Sequence, residues 1–325
     1  MLITPPNLSF FFTSLETRFW AAYSVAPIVH DKICTTYPVS GEQWVSGWMG
    51  MLDKMREWKG PRITHTPAPQ TYLVPIKLFE LTEGIDQFKL EDDTYGIYYP
   101  TVTFMGENTR KWPDYEVRDL LQNTGAWTGS FQNGLDGLSH WNTAHPVDFY
   151  DASKGTYCND FTGGVTVNGV LVGGALGVNQ FATLWEEISS RKSESGEPLG
   201  LMPDCTLIPS QLKITLDTIL QAQFIGAPTI GNLTGMVGTT ENMLKGWTDR
   251  LLWPELNAAP TVWYMLCCNK PVKPFSWLLR LAPDFVYRIN PQDPVVFDTH
   301  TYVYGSKSRG SPAWGFPWLS AKSAP

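Results

Sequence analysis

Charged residues are scarce in this chain, and basic ones are the scarcer kind. Only 17% of the 325 residues are charged, and 24 Lys and Arg face 31 Asp and Glu, giving a formal net charge of −7. Folded domains usually carry about a quarter charged residues. A protein that grips nucleic acid through its phosphates needs a broad basic surface, and this balance argues against one.

Signals for export and membrane insertion are also missing. No apolar run approaches the ~20 residues needed to cross a bilayer. Residues 1–12 have no positively charged start and contain Pro5 and Pro6, so we expect no signal peptide. The odd number of cysteines, without any C-x-x-C pair, predicts reduced core thiols of a cytosolic protein. The cysteines are Cys34, Cys158, Cys205, Cys267 and Cys268.

Catalytic and ligand-binding motifs are absent as well. The sequence has no G-x-S-x-G, no H-E-x-x-H and no phosphate-binding loop, and the glycine-rich residues 223–257 predict a flexible loop. The adjacent carboxylates Asp92 and Asp93 precede a helical tract, where carboxylates cap helices and complement their dipoles. His140 and His145 lie near Asp136 and Asp148, but their spacing matches no standard metal site, so we expect satisfied polar residues. We therefore predict no enzyme, no cofactor and no metal.

Aromatic residues and prolines, in contrast, are abundant. The chain has 14 Trp and 25 Pro, and 43% of its residues are hydrophobic. An aromatic-rich, charge-poor composition is typical of extensive contact surfaces, and a β-rich core gives the same composition. Composition alone leaves both interpretations open.

Periodicity predicts a mixed α+β chain. Apolar residues recur at helical spacing in several segments, and prolines and glycines punctuate them. We expect a kink or interruption at Pro113 and a helix stop at Asn123. The predicted helices cover residues 14–25, 42–52, 104–122, 179–191 and 210–220, and the predicted strands cover 206–208, 261–268, 276–289 and 293–304.

Residues 55–100 predict a protruding two-stranded hairpin. Residues 64–70 are polar with two prolines, typical of an exposed tip, and residues 71–90 are rich in strand formers. Tyr72, Val74, Ile76 and Leu78 alternate, which makes one side apolar, while Pro75 favours an edge position. A lone hairpin is marginal in water, so it must lie on its own domain or on a neighbouring subunit.

Short blocks within and around this hairpin resemble the Mu-like phage major head subunits. They include residues 56–62 (REWKGPR), Phe79-Glu80, residues 91–98 (EDDTYGIY) and the chain start, MLITPPNL. Further blocks keep the same order along the chain. They are Trp112-Pro113-Asp114, Leu120-Leu121, Asp136-Gly137, His145-Pro146, residues 203–209, Lys273-Pro274-Phe275, Val296-Phe297, Tyr304-Gly305 and Arg309. Residues 159–180 and 223–259 contain no block that resembles this family.

The resemblance implies the HK97-type major capsid fold. It implies an N-terminal arm lying across neighbouring subunits, an extended β-hairpin loop, a peripheral domain with a long spine helix, and an axial domain. The corresponding boundaries are 1–52 for the arm, 53–92 for the loop, 93–200 for the peripheral domain, 201–275 for the axial domain, and 276–325 for the return to the peripheral domain with a tail.

The same resemblance implies a structural function. The chain is expected to be the major capsid subunit of a tailed bacteriophage, forming pentamers and hexamers of an icosahedral head around double-stranded DNA. Its implied partners are copies of itself, a scaffolding protein, a portal, a decoration protein and non-specifically packaged DNA, without a membrane. Assembly is expected in the host cytoplasm, ending in the virion. The residues predicted to contact neighbouring subunits are Arg56, Glu57, Trp58, Arg62, His65, Tyr72, Phe79, Glu80, Phe19 and Trp20.

Two alternatives remain at this point. An encapsulin-like cellular shell would share the fold and hold enzymes instead of DNA. A secreted β-rich carbohydrate-binding protein would account for the tryptophans, although the missing leader and the missing acid pair argue against it.

Overall fold

The computed structural model describes residues 4–48, 68–92, 96–149, 151–226, 239–290 and 292–325. Within these ranges the helices are α1 (Pro5–Val25), α2 (His30–Ile33), α3 (Gln87–Asp92), α4 (Tyr98–Gln122), α5 (Val178–Ser189), α6 (Lys213–Gln221) and α7 (Pro294–Thr299). None of them has the length and apolar content that crossing a bilayer requires.

The described strands fall into two main sheets and several short pairs. They are β1 (Cys34–Pro38), β2 (Gln43–Trp48), β3 (Ala68–Pro75), β4 (Lys77–Asp86), β5 (His145–Pro146), β6 (Thr156–Tyr157), β7 (Asp160–Thr162), β8 (Val165–Val167), β9 (Val170–Val172), β10 (Cys205–Ile208), β11 (Phe224–Gly226), β12 (Thr239–Glu241), β13 (Asp249–Leu252), β14 (Trp263–Leu266), β15 (Phe275–Arg288), β16 (Thr301–Trp314) and β17 (Ser320–Ala324). One sheet has the order β1-β15-β16-β4 and the other β13-β10-β14-β17-β7. The predicted α+β class is confirmed.

The segment 301–324 contributes an interior strand to each sheet. β16 lies between β15 and β4, with which it pairs antiparallel. The chain then passes through a short 3-10 turn, Pro317–Leu319, and enters the second sheet as β17, between β14 and β7. The two sheets are therefore linked by continuous backbone.

Helix α1 packs against α4 and the distal part of the four-stranded sheet. Its buried residues Leu8, Phe11, Phe12, Leu15 and Phe19 recur at helical spacing. Phe12 stacks on Tyr287 with ring centroids 5.4 Å apart. The helix predicted over residues 14–25 is confirmed and begins earlier, at Pro5, because proline suits a first helical turn. Its aromatic face fills the core of this subunit.

Helix α4 is the long helix of the fold and contacts both α1 and β16. Pro100 lies in its first turn, and Asn123 ends it, as predicted, in the left-handed conformation with φ 54°. The helix continues without interruption through Pro113, which is buried, so of the two predicted effects of this proline the interruption does not occur and the kink stays a prediction. Packing on two sides offsets the hydrogen bond that proline removes.

Three other local predictions are wrong. Residues 43–48, predicted as part of a helix, form β2 because they pair with β3. Part of the predicted strand 293–304 is helix α7, although Tyr302 and Tyr304 do share a buried face of β16. Asp92 ends α3, and the N-cap of the following helix α4 is Ile97, so Asp92 does not cap that helix, while Asp93 lies outside the described residues.

The subunit has two lobes, one built on the four-stranded sheet and the second on the five-stranded sheet. The predicted helix 179–191 and strand 206–208 correspond to α5 and β10 and are confirmed. Ser210 begins a 3-10 turn and α6 begins at Lys213, so the helix predicted over residues 210–220 is confirmed from residue 213 onward. The predicted strands 261–268 and 276–289 correspond to β14 and β15 and are confirmed.

Gly106 sets the distance between α1 and α4. A Cβ built on Gly106 would overlap the carbonyl oxygen of Phe19 and lie 3.2 Å from the Cβ of Ala22. We expect Gly106→Ala to lower the free energy of unfolding by about 1–3 kcal/mol, because the backbones cannot separate without loosening the core beneath them. The control is Thr103→Ala, at an exposed position of the same helix, which should change stability by less than about 0.5 kcal/mol. Chemical denaturation of both variants measures the difference, and equal midpoints would contradict the close-approach argument.

Candidate subunit-interface surface

The protruding hairpin is formed by β2 and β3. They pair antiparallel from Gln43↔Pro75 at the base to Trp48↔Ala68 at the far end, with an irregularity before Trp48. The predicted second strand, residues 71–90, is divided in two. β3 belongs to the hairpin, while β4 pairs with β16 at the edge of the four-stranded sheet. The hairpin therefore starts at residue 43, earlier than the sequence predicts.

The two faces of this hairpin have opposite environments. Val74, 2% exposed, packs with Ile76, Leu278 and Ala313 of the subunit's own core. On the other face the cross-strand partners Val45 and Leu73 are 60% and 51% exposed. The hairpin thus carries an apolar surface that the described residues of its own subunit leave exposed.

Aromatic contacts hold the base of the hairpin against the body. Trp44 lies between Tyr37 and Tyr72, with ring centroids 6.0 Å from each. The backbone N–H of Trp314 donates to the Tyr72 hydroxyl at 3.1 Å. Burial raises the pKa of Tyr72, so the phenol stays protonated. The ribbon is fixed at its root, and its exposed face has a defined direction.

A lysine fixes the point where the hairpin joins β4. Lys77 Nζ lies 3.8 Å from the ring centre of Trp127 and donates to the carbonyl of Ala126 at 2.9 Å. Burial lowers the pKa of Lys77, and the nearby Glu116 opposes that shift. Glu116 in turn accepts a 2.6 Å hydrogen bond from the Trp127 indole. These contacts tie the ribbon to the end of α4.

A half-open groove of about 410 Å³ lies between β4, α4 and β16. The ring centroids of Phe79 and Trp112 are 5.0 Å apart within it. Lys307 and Glu80 add one charge of each sign to its lining. β4 lies at the end of the sheet, so one of its two backbone edges pairs with no other strand of that sheet. Such an edge is a template for another chain.

The predicted contact residues are distributed unevenly over these features. Arg56, Glu57, Trp58, Arg62 and His65 lie outside the described residues. The remaining five are found at the hairpin base (Tyr72), in the groove (Phe79 and Glu80) and on α1 (Phe19 and Trp20).

Phe19 and Trp20 differ in their availability to a neighbour. Phe19 is fully buried and its ring lies 5.0 Å from that of Phe285, so it is a core residue of its own subunit. Its predicted role as a contact residue has no exposed surface to support it. Trp20 is 37% exposed and retains that possibility. Leu78 is 65% exposed, so the apolar side predicted for residues 72–78 ends at Ile76.

The histidine-carboxylate cluster is a structural network. His145 Nδ1 lies 2.5 Å from Asp136 Oδ2, and its Nε2 lies 3.0 Å from the carbonyl of His140 and 3.1 Å from Asn159 Oδ1. His145 is therefore a satisfied polar residue, as predicted. Burial lowers the pKa of His140 well below its usual range, and its ring stacks on Trp314 at 4.1 Å. In the described part of the chain, no group of three or more His, Cys, Asp or Glu side chains could hold a metal ion.

Two important features were missed by sequence reasoning. Val45 and Leu73 were not recognised as an exposed cross-strand pair because the register of β2 and β3 was unknown. Arg191, buried at the end of α5, donates to the carbonyls of Trp318 and Cys158, both at 2.7 Å, and of Ser320 at 3.3 Å. An arginine at the end of an amphipathic helix gives no local signal that it reaches three distant carbonyls.

Solved structures share this architecture. The chain is similar to the subunit in the procapsid of bacteriophage JBD30, with a TM-score of 0.58 and 23% identity over 99% of this chain and 76% of that one. A long helix across one sheet, a protruding hairpin and a second sheet give this chain the HK97-type fold.

The chain belongs to the family described as Mu-like prophage major head subunit gpT, whose model matches residues 8–172 and 254–324. It is 23% identical to the major capsid protein of Escherichia phage Mu, over 99% of this chain and 74% of that protein. It is 22% identical to the Mu-like prophage FluMu major head subunit of Haemophilus influenzae, over 98% and 73%. The resemblance drawn from the short blocks is confirmed.

The chain is thus a major capsid protein of a tailed phage, a structural subunit of a shell made from its own copies. An encapsulin-like cellular shell is not favoured by these matches. The family is one of structural proteins, which leaves the secreted carbohydrate-binding alternative without support.

Proposed function

We propose that the hairpin clamps neighbouring subunits in an icosahedral head composed of pentamers and hexamers that encloses double-stranded DNA. The observation that carries this proposal is the uncovered apolar face of Val45 and Leu73 on a ribbon fixed at its base. Apolar surface on a protruding element is removed from water when another copy covers it. Trp20 on α1 and the groove beside β4 are further surfaces that a neighbouring copy would cover.

The division of the chain into arm, loop, peripheral domain, axial domain and tail stays a prediction. The division is supported by the hairpin, the long helix α4 and the separate five-stranded sheet, each described above. A scaffolding protein, a portal and a decoration protein are the proposed partners during assembly in the host cytoplasm. A net charge of −7 supports non-specific enclosure of DNA, since a mildly acidic wall would let packaged DNA slide.

Shell formation should depend on small contacts repeated many times. Obligate interfaces bury about 2,000 Å² or more, and ordering the partners offsets much of the gain. The net attraction between two copies is modest. In a closed shell, however, each subunit resists dissociation because several contacts must break together. Weakening one recurring contact should therefore abolish particles without unfolding the subunit.

Deleting residues 63–70 tests the clamp. We expect the variant to fold as a subunit but to form no shells, because the deletion removes the first three residues of β3. Circular dichroism and thermal unfolding report the folded state, while size-exclusion chromatography and electron microscopy separate megadalton particles from subunits.

A double substitution tests the exposed apolar face of the hairpin without changing the length of the hairpin. Val45→Lys together with Leu73→Lys should also prevent assembly, since two charges would be buried by a covering copy. Leu171→Lys, at an exposed leucine in β9, is the matched control and should assemble normally. Normal shells from the hairpin variants would show that the hairpin is not the clamp.

A further inference from the structure

Cys205 and Cys268 lie on adjoining backbone segments of the five-stranded sheet. β10 pairs antiparallel with β14, and Cys205 lies opposite Leu266. After Leu266 the chain stays close to β10, because the N–H of Cys268 donates to Asp204 Oδ1 at 2.6 Å. The N–H of Asn269 donates to the same oxygen at 3.3 Å. The carboxylate next to Cys205 therefore holds the backbone of Cys268 in place.

The two thiols also point to the same side of the sheet. Cys205 and Cys268 both pack into the hydrophobic cluster that contains Leu207, Tyr264 and Trp314. Cys267 packs into the cluster on the other side, because successive side chains of an extended chain alternate. Interaction with the Cys205 side chain is the largest cause of the raised pKa of the Cys268 thiol. In the structure all five cysteines are free thiols.

We propose that Cys205 and Cys268 are a redox modification site, at which an intramolecular disulfide forms once the subunit meets a small-molecule disulfide outside a reducing cytoplasm. The setting depends on the proposed function, since a phage head leaves its host. The chemistry depends only on the folded subunit. Disulfides persist in oxidising surroundings and are reduced in the cytosol.

The reaction balances as two exchanges with a disulfide RSSR. Cys268 is the more exposed thiol, and its thiolate attacks one sulfur of RSSR, so that RS⁻ leaves and Cys268 carries the mixed disulfide. The Cys205 thiolate then attacks the Cys268 sulfur, and the second RS⁻ leaves. The two thiol protons end on two RSH molecules, so the oxidant is reduced by two electrons and the protein is oxidised by two.

The expected rate follows from the surroundings of the thiols. Contact with Cys205 and burial raise the pKa of Cys268, which keeps it protonated at neutral pH. Because only the thiolate attacks, oxidation should be slow at pH 7 and about tenfold faster for each pH unit above it. We therefore expect this disulfide to form over the lifetime of a particle and not during folding.

The bond would join β10 to the segment that directly follows its neighbour β14. β10 and β14 lie side by side within the sheet order, and the segment between them includes β11, β12 and β13. A crosslink across such a long segment restricts the unfolded chain and opposes separation of the two strands. The oxidised protein should therefore resist proteolysis within residues 205–268.

The experiment incubates the purified protein with oxidised glutathione at pH 7.0 and 8.5, followed by peptide mapping without reductant. We expect one crosslinked product joining the peptides of Cys205 and Cys268, lighter than their sum by two hydrogen atoms. Cys205→Ser should abolish that product and leave a stable glutathione adduct on Cys268. Cys34→Ser, at a buried cysteine in the same hydrophobic cluster, is the matched control and should crosslink like the wild type.

Three outcomes would overturn the proposal: a persistent glutathione adduct on Cys268 in the wild type, a crosslink to Cys267, or no reaction until the protein is denatured. Limited proteolysis provides a second measurement, in which oxidation should slow cleavage within residues 205–268 at least about tenfold. Because mapping is done on subunits, assembled or not, its result is independent of the clamp test. Electron microscopy scores assembly separately.

Discussion

Arg191→Met is expected to lower the free energy of unfolding by about 3 kcal/mol or more, enough to prevent soluble accumulation of the subunit. The guanidinium is buried and donates to the carbonyls of Cys158, Trp318 and Ser320. Methionine fills a similar volume but donates nothing. An unsatisfied buried acceptor costs about 1–3 kcal/mol, and three acceptors lose their partner here.

The positions of those three carbonyls explain why the loss of stability would affect more than one part of the subunit. Trp318 lies just before β17, an interior strand of the five-stranded sheet, and Ser320 is the first residue of that strand. Cys158 precedes β7, which lies at the edge of the same sheet. Although burial lowers the pKa of Arg191, a guanidinium remains protonated at neutral pH and keeps all its donors. One side chain thus holds two chain segments distant in sequence.

Two variants make this prediction specific. Arg191→Lys should retain only part of the stability, because one ammonium group cannot reproduce the fork of a guanidinium. Arg118→Met is the control, since Arg118 pairs with Asp119 at 2.6 Å in a partly exposed position and should cost less than about 1 kcal/mol. Denaturant unfolding and soluble yield provide the measurements. An Arg191→Met protein with the wild-type midpoint would refute the assigned role.

The second large effect is expected at the Asp136–His145 pair. Both ring nitrogens of His145 face oxygen acceptors, since Nδ1 meets Asp136 while Nε2 meets the His140 carbonyl and Asn159 Oδ1. Asn159 uses its own Nδ2 to donate to the His140 carbonyl, which fixes Oδ1 as the acceptor. Asp136 Oδ2 is therefore the partner of Nδ1, and the Nε2–H donates to the two oxygens on the other side of the ring.

Asp136→Asn should lower the free energy of unfolding by about 3–5 kcal/mol, because it breaks a buried pair and leaves His145 without its carboxylate partner. His145→Gln should cost a similar amount, because it leaves the buried Asp136 side chain without its histidine partner. The double variant should be markedly more stable than the sum of the two losses predicts, since neither side chain is then left without its partner. A double-mutant cycle by denaturant unfolding measures this coupling, and additive losses would show that the pair does not act as a unit.

The long regular segments could be predicted from sequence because their burial is one-sided. α5 places Phe181, Leu184 and Ile188 on one face, and that spacing alone gave its position. The stop at Asn123 was equally local, because a left-handed residue is a backbone requirement that a side chain can signal. The family blocks predicted the class of protein, since they kept their order across both sheets.

Features that depend on distant partners could not be predicted. Trp44 and Trp48 occur at a spacing that also suits a helix, and only pairing with β3 makes that segment a strand. β4 and β3 form one continuous strand-like run in sequence, yet each pairs with a different neighbour. The core position of Phe19 depends on Phe285, far along the chain. In each case tertiary pairing decides between local alternatives of similar free energy.

The passage of one segment through the interior of both sheets has a mechanical consequence. Tension on the four-stranded sheet reaches the other lobe along the covalent backbone of residues 315–319, without depending on side-chain contacts between lobes. Covalent bonds do not creep under sustained load, whereas packed surfaces slide. A pull on one sheet would therefore be transmitted to the other by the chain itself.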